Sequence, residues 1–129
     1  MTAPWTEFFI ALVATVVFLA SVVWTGKTHR RKAHYWSVGF AVVGLGFAIF
    51  YAERIGRLWS FPAVPLRIHL SLAYTATVMT VVATVSGLLH VFHKLTRRAH
   101  ARMAWLALVC IVLATCTGVW IFLVGAPKA

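Results

Sequence analysis

Acidic residues are nearly missing from this chain. Asp and Glu together number 2, against 12 Lys and Arg in 129 residues. With only Glu7 and Glu53 to draw on, no carboxylate pair is available for general acid–base work. No convincing nucleophile with a base beside it stands out, and no Gly-rich phosphate loop is present. A hydrolase is not expected, and the chain reads as something other than an enzyme acting on its own. Cysteine is scarce too. Cys110 and Cys116 lie six residues apart on different sides of one apolar run, which disfavours a disulfide between them and suits small packing residues. A basic leader is also lacking. The N-terminus Met1-Thr2-Ala3-Pro4 is followed by Glu7, so the first apolar run is expected to stay in the mature protein.

What is present in abundance is apolar surface. The hydrophobic fraction is 62% and the charged fraction 11%, where soluble domains run nearer about half and a quarter. A small globule cannot hide that much apolar surface inside itself. Lipid is the solvent that suits it. The expected fold class is all-α: an integral membrane bundle of four transmembrane helices in a single domain, residues 1–129. A span needs about 20 apolar residues. Four runs qualify, at about 5–24, 35–51, 66–92 and 103–124. Trp5, Trp24, Tyr35, Trp36, Tyr51, Trp59 and Trp120 mark many of their ends, where interfacial rings prefer to sit.

A net charge of +10 would suggest nucleic acid in a soluble protein. Here the charge falls in short blocks between apolar runs, so anionic lipid headgroups are the expected partner and nucleic acid is not. Loop one holds Lys27, Arg30, Arg31 and Lys32, and loop three holds Lys94, Arg97, Arg98 and Arg102. Loop two holds Arg54, Arg57 and Arg67 with Glu53, and Pro62 and Pro65 make it a structured turn. The positive-inside rule then puts loops one and three in the cytoplasm and both termini outside. A bacterial inner membrane is the expected location.

Helical periodicity places small residues in stripes. With His34 fall Ser37, Ala41, Ala48 and Ala52. With His69 fall Ala73, Ala76, Thr80, Ala83 and Gly87, with His90 at the edge. With His100 fall Ala104, Ala107, Ala114 and Gly118. Such stripes allow close helix packing or leave a slot for a flat macrocycle. The first span, with Ala11, Thr15 and Phe18, is expected to be peripheral. The only repeat is a loose one, of two hairpins with basic, histidine-bearing turns.

Histidine is the residue type that carries chemistry here. Five of the six map to the cytoplasmic end: His29, His34, His90, His93 and His100. His69 lies alone near the outer end of the third span. Singly, each is accounted for as an interfacial residue. Together they form an imidazole cluster suited to haem or a metal. Haem b would take two facing imidazoles, such as His34 with His90 or His90 with His100. Arg30, Arg97 and Arg98 would pair its propionates. His69 would hydrogen-bond across the bundle or to a quinone or haem edge. Copper or iron would suit His29, His34, His90, His93 and His100 as ligands. The spacing also faintly resembles the histidine boxes of membrane di-iron enzymes, which use more histidines than five.

Several short motifs stand in a familiar order: His29-Arg30 opening the second span, His69-Leu70-Ser71-Leu72-Ala73 opening the third, Arg97-Arg98-Ala99-His100-Ala101-Arg102 leading into the fourth, then Trp105 and Thr117-Gly118. Over residues 27–124 this order resembles a family of small four-helix membrane proteins of unknown function. Some members, the CtaM proteins, are associated with maturation of haem–copper cytochrome oxidases. The chain departs from the family pattern before the fourth-span tryptophan, where the family has a proline and this chain has Ala104. The resemblance implies a role in respiratory electron transfer or cytochrome-oxidase assembly, beside a respiratory membrane complex, with His29, His69 and His100 as the marked residues. The alternative is a non-catalytic structural subunit of a larger membrane complex.

Overall fold

The computed structural model describes residues 3–128. Its elements are α1 (Trp5–Lys27), α2 (Arg31–Leu58), β1 (Trp59–Ser60), α3 (Ala63–Val91), α4 (Arg97–Val124) and β2 (Ala126–Pro127). Apart from the two-residue strands and the short turns, the described chain is helical. Each of the four helices is long and apolar enough to cross a membrane. A helix of 28 residues is about 42 Å long, beyond the roughly 30 Å of a hydrocarbon core. The helices therefore exceed the apolar runs that define them. Arg54 and Arg57 lie inside α2 and Arg67 inside α3, so they are helical rather than loop residues. The turn between these helices shrinks to residues 59–62. Pro62 caps α3, and Pro65 sits in its first turn, where a missing N–H costs nothing.

The chain divides into two compact units. One holds α1, α2 and residues 127 and 128, and the other spans residues 61–126. Each is a helical hairpin. In the first, Phe8, Ala11, Thr15 and Thr25 of α1 are buried, with Ser37, Ala41, Ala48 and Ile55 of α2. The small-residue stripe of α2 is thus the packed face, with Ile55 continuing it beyond Ala52. A Cβ at Gly44 would stand 2.7 Å from Thr15 Oγ1, so glycine there permits the close approach. Helix α1, expected to be peripheral, is the direct packing partner of α2. At the helix ends, Lys128 Nζ donates to the carbonyls of Gly56 and Arg57 at 3.1 and 3.0 Å. These are acceptors that the end of a helix leaves unpaired.

In the second hairpin, Ala76 and Ser86 of α3 and Ala107, Gly118 and Ile121 of α4 are buried. Ala76, Ala107 and Gly118 lie on the expected stripes, and Ser86 and Ile121 are buried beside them. Helical hydroxyls turn back onto their own carbonyls: Thr80 Oγ1 donates to Ala76 O at 2.8 Å and Thr115 Oγ1 to Ile111 O at 2.8 Å. That habit suits a low-dielectric solvent, where an unpaired donor is costly. No buried polar side-chain atom among the described residues lacks a partner. The large apolar side chains point outward instead, with Leu123 79% and Trp36 70% exposed.

Candidate functional site

The two hairpins repeat one pattern. Helices α2 and α4 have the same length of 28 residues. They open on Arg31-Lys32-Ala33-His34 and Arg97-Arg98-Ala99-His100. Counted from the helix start, Ala41, Ala48 and Ile55 fall at the same register as Ala107, Ala114 and Ile121. The preceding helices carry the matching half: Thr25-Gly26-Lys27-Thr28-His29 in the first hairpin, Ser86-Gly87-Leu88-Leu89-His90 in the second. The loose repeat of the sequence is thus a register-matched one.

What joins the halves is a contact between a histidine and a hydroxyl–glycine pair. The His34 ring lies against Gly26, 3.3 Å from where a Cβ would be. Its Nδ1 is 3.3 Å from Thr25 Oγ1 and 3.1 Å from Val22 O. The His100 ring lies against Gly87, 3.1 Å from the corresponding point, with Nδ1 2.9 Å from Ser86 Oγ. The contact occurs a third time at the far end of the second hairpin. His69 of α3 lies against Gly118, again at 3.1 Å, with Nδ1 3.2 Å from Thr117 Oγ1. The chain contains three Ser/Thr–Gly dipeptides, and each receives a histidine. Glycine makes room for the ring, and the hydroxyl before it takes the ring nitrogen.

The direction of these hydrogen bonds follows from proton counting. A hydroxyl has one proton. Thr25 Oγ1 donates its own to Ser21 O at 2.6 Å, Ser86 Oγ to Ala83 O at 2.7 Å, and Thr117 Oγ1 to Leu113 O at 3.0 Å. A hydroxyl that keeps its proton on the helix carbonyl accepts from the imidazole, and at His34 the Val22 carbonyl, 3.1 Å from Nδ1, can only accept, so there Nδ1 carries the proton. His90 reaches the same state another way, because its Nδ1 stands 3.0 Å from Leu95 O, which can only accept. His29 Nδ1 likewise donates to Lys27 O at 2.8 Å. In a neutral ring whose Nδ1 is protonated, the lone pair sits on Nε2. Histidines held this way are in the tautomer of a metal-ligating imidazole, whose other nitrogen is fixed by an oxygen partner.

The candidate residues distribute as follows. His29 and His34 belong to the first hairpin, and His69, His90, His93 and His100 to the second. His90 and His100 come together, with ring centres 6.1 Å apart and planes 7° from parallel. His29 does not open α2. It lies in the turn with φ of 60°, and His93 takes the matching place in the other turn with φ of 57°. Both are in the left-handed region that side chains other than Gly, Asn, Asp and His rarely adopt. Arg30 caps α2, while Arg97 and Arg98 form the first turn of α4. Among the described residues, no group of three or more His, Cys, Asp or Glu is placed to hold one metal ion. Within the second hairpin, His90 and His100 are the histidines that form a close pair.

The residues that sequence reasoning passed over are the acceptors: Thr25, Ser86 and Thr117 with their following glycines. The signal was the Ser/Thr–Gly dipeptide itself, one helix away from each histidine. Comparison with protein-family models, curated proteins and solved structures finds no match.

Proposed function

We propose that this chain is a haem- or metal-binding membrane protein of respiratory electron transfer or cytochrome-oxidase assembly. The observation that carries the reading is the placement of His34, His69, His90 and His100, each with Nδ1 held within hydrogen-bond distance of an oxygen. Ring orientation and lone-pair placement on Nε2 are what a ligand requires before any metal arrives. Haem b, copper and iron all accept imidazole nitrogen. Arg30, Arg97 and Arg98 stand at the helix starts beside His34 and His100, where guanidinium groups suit propionates.

In this reading the four helices cross a bacterial inner membrane. The basic turns at 27–34 and 92–102 meet anionic headgroups on the cytoplasmic side, and both termini lie outside. The likeness in motif order to the CtaM-containing family supports the respiratory setting, with a membrane complex or a quinone as partner. A second reading, a structural subunit of a larger complex, draws on the same contacts. Each ring fills the notch above a glycine and satisfies a hydroxyl, which is also a way to lock two helices.

Oxidised and reduced visible spectra of the detergent-purified protein, with metal analysis, test the proposal. A Soret band or a stoichiometric metal, lowered by His100→Ala, is the expected result. Neither band nor metal would overturn it in favour of the structural subunit.

A further inference from the structure

The first hairpin carries a feature that the histidine contacts leave unused. Between α1 and α2, toward the start of α1, lies a groove of about 340 Å³. Ala11, Ala14 and Gly44 leave the space, and Ile10 and Phe47, 66% and 55% exposed, flank it. Because the helices run antiparallel, Glu7 and Tyr51 stand at one end and Ala14 and Gly44 at the other. Each wall covers about 10 Å of helix. Glu7 is one of 2 acids in a chain with 12 Lys and Arg, yet it pairs with none of the described residues. Arg54, one turn past Tyr51, rests its guanidinium over the Phe50 ring instead, 5.6 Å from the centre. Trp5 and Trp59, in ring contact at 5.1 Å, mark this end of the hairpin as interfacial. Glu7 therefore lies at headgroup depth, and the apolar part of the groove runs from it toward the bilayer centre.

We propose that this groove binds one phospholipid with a primary ammonium headgroup, an ethanolamine lipid. The site stands apart from the histidines of the preceding reading and asks only for a bilayer around α1 and α2. Charge complementarity selects the headgroup. A carboxylate with no cation of its own is matched by an ammonium, which brings three donors. A choline headgroup has no N–H to donate, and a glycerol headgroup leaves the lipid anionic and repelled by Glu7. On the opposite wall the Tyr51 hydroxyl, which makes no hydrogen bond with a described residue, can donate to the lipid phosphate. Size selects what fills the rest. A volume of about 340 Å³ spread along about 10 Å leaves a cross-section of about 34 Å², where a helix at least about 10 Å across needs about 80 Å². The groove thus admits a single chain rather than a helix. One leaflet is about 15 Å of hydrocarbon, half of the roughly 30 Å core. The groove therefore takes the upper part of one acyl chain and leaves its tip among the bulk lipid.

Native mass spectrometry of the full chain tests the site, with the protein released from micelles doped with equal phosphatidylethanolamine, phosphatidylcholine and phosphatidylglycerol. One phosphatidylethanolamine per chain is expected. Glu7→Gln should lower its retention about tenfold, the worth of a hydrogen bond to a charged group. Glu53→Gln, at the other acid, which does not line the groove, should leave retention within about twofold. Ala14→Phe fills the groove and should remove the bound lipid whatever its headgroup. Glu7→Lys keeps the result independent of folding losses, because the inverted charge should turn the preference from phosphatidylethanolamine to phosphatidylglycerol. Equal retention of the three lipids means annular lipid only and overturns the proposal. A loss at Glu53→Gln as large as at Glu7→Gln overturns it too, as does an unchanged preference in Glu7→Lys. A lipid-free dimer would assign the groove to a second copy and likewise overturn it. Haem and metal content have no bearing on these outcomes, so the two proposals stand or fall separately.

Discussion

The turn of the first hairpin and the turn of the second are built on the same motif and reach different ends. Both begin with a hydroxyl–glycine pair that accepts a histidine from the next helix. Both place a histidine at positive φ to close the preceding helix. The second turn carries extra residues, and they are spent on one more turn of α3 and on Lys94–Thr96. A motif histidine that hangs in a loop in one copy is thereby lifted onto a helix beside its partner in the other. The longer second turn goes with a motif imidazole that lies on the helix and pairs with a second ring, where the first copy holds its imidazole in the turn.

The sharpest way to break the comparison is to fill the glycine notches. Gly87→Leu should push His100 out of place and destabilise the second hairpin by about 1–3 kcal/mol, as overpacking does. Gly44→Leu should do the same to the first hairpin, through Thr15. Gly46→Leu, where nothing lies within 4 Å, should be neutral. Unfolding in detergent by added dodecyl sulfate reads all three. Equal losses at Gly46 and Gly87 would remove the notch from the account.

A smaller effect separates the two anchors. Ser86→Ala removes the 2.9 Å acceptor of His100 and should cost about 1–2 kcal/mol. Thr25→Ala should cost less, about 0.5 kcal/mol, because His34 keeps the Val22 carbonyl at 3.1 Å. The same titration checks the order, and a larger loss at Thr25 would reverse it. Smallest of all are the left-handed histidines. His93→Gly should stabilise the protein by under about 1 kcal/mol by relieving its backbone. His29→Gly should gain less, since the Nδ1 bond to Lys27 O is lost with it. Destabilisation by His93→Gly would mean that its side chain, and not the turn, is what the position selects.

Much of this was legible in the sequence, and the reasons are physical. Hydrophobic run length set the four helices, because a span has a minimum length. The period of small residues set the packed faces, and Ala41, Ala48, Ala76, Ala107 and Gly118 are buried where the stripes put them. Helix ends were less legible. Arg54, Arg57 and Arg67 read as loop by charge, yet charged residues continue a helix past the apolar run at little cost when they reach water. The packing of α1 on α2 was less legible because its stripe is short, and the notch that receives Thr15 lies on α2, at Gly44. The histidine site was half legible. His100 stood out by its place in both the stripe and the motif order. Its pairing with His90 depended on where α3 ends, which no local residue pattern fixes. The anchoring hydroxyls were hidden because Ser and Thr in an apolar run read as packing residues.

The account turns on a protonation state, and histidine-selective nitrogen-15 NMR of the metal-free protein in micelles measures it directly. His34, His69, His90 and His100 are predicted to carry the proton on Nδ1, with Nε2 showing the shift of an unprotonated, lone-pair nitrogen. Proton on Nε2 in these rings would contradict the anchoring through Thr25, Thr117, Leu95 and Ser86, and with it the preparation of these histidines as ligands.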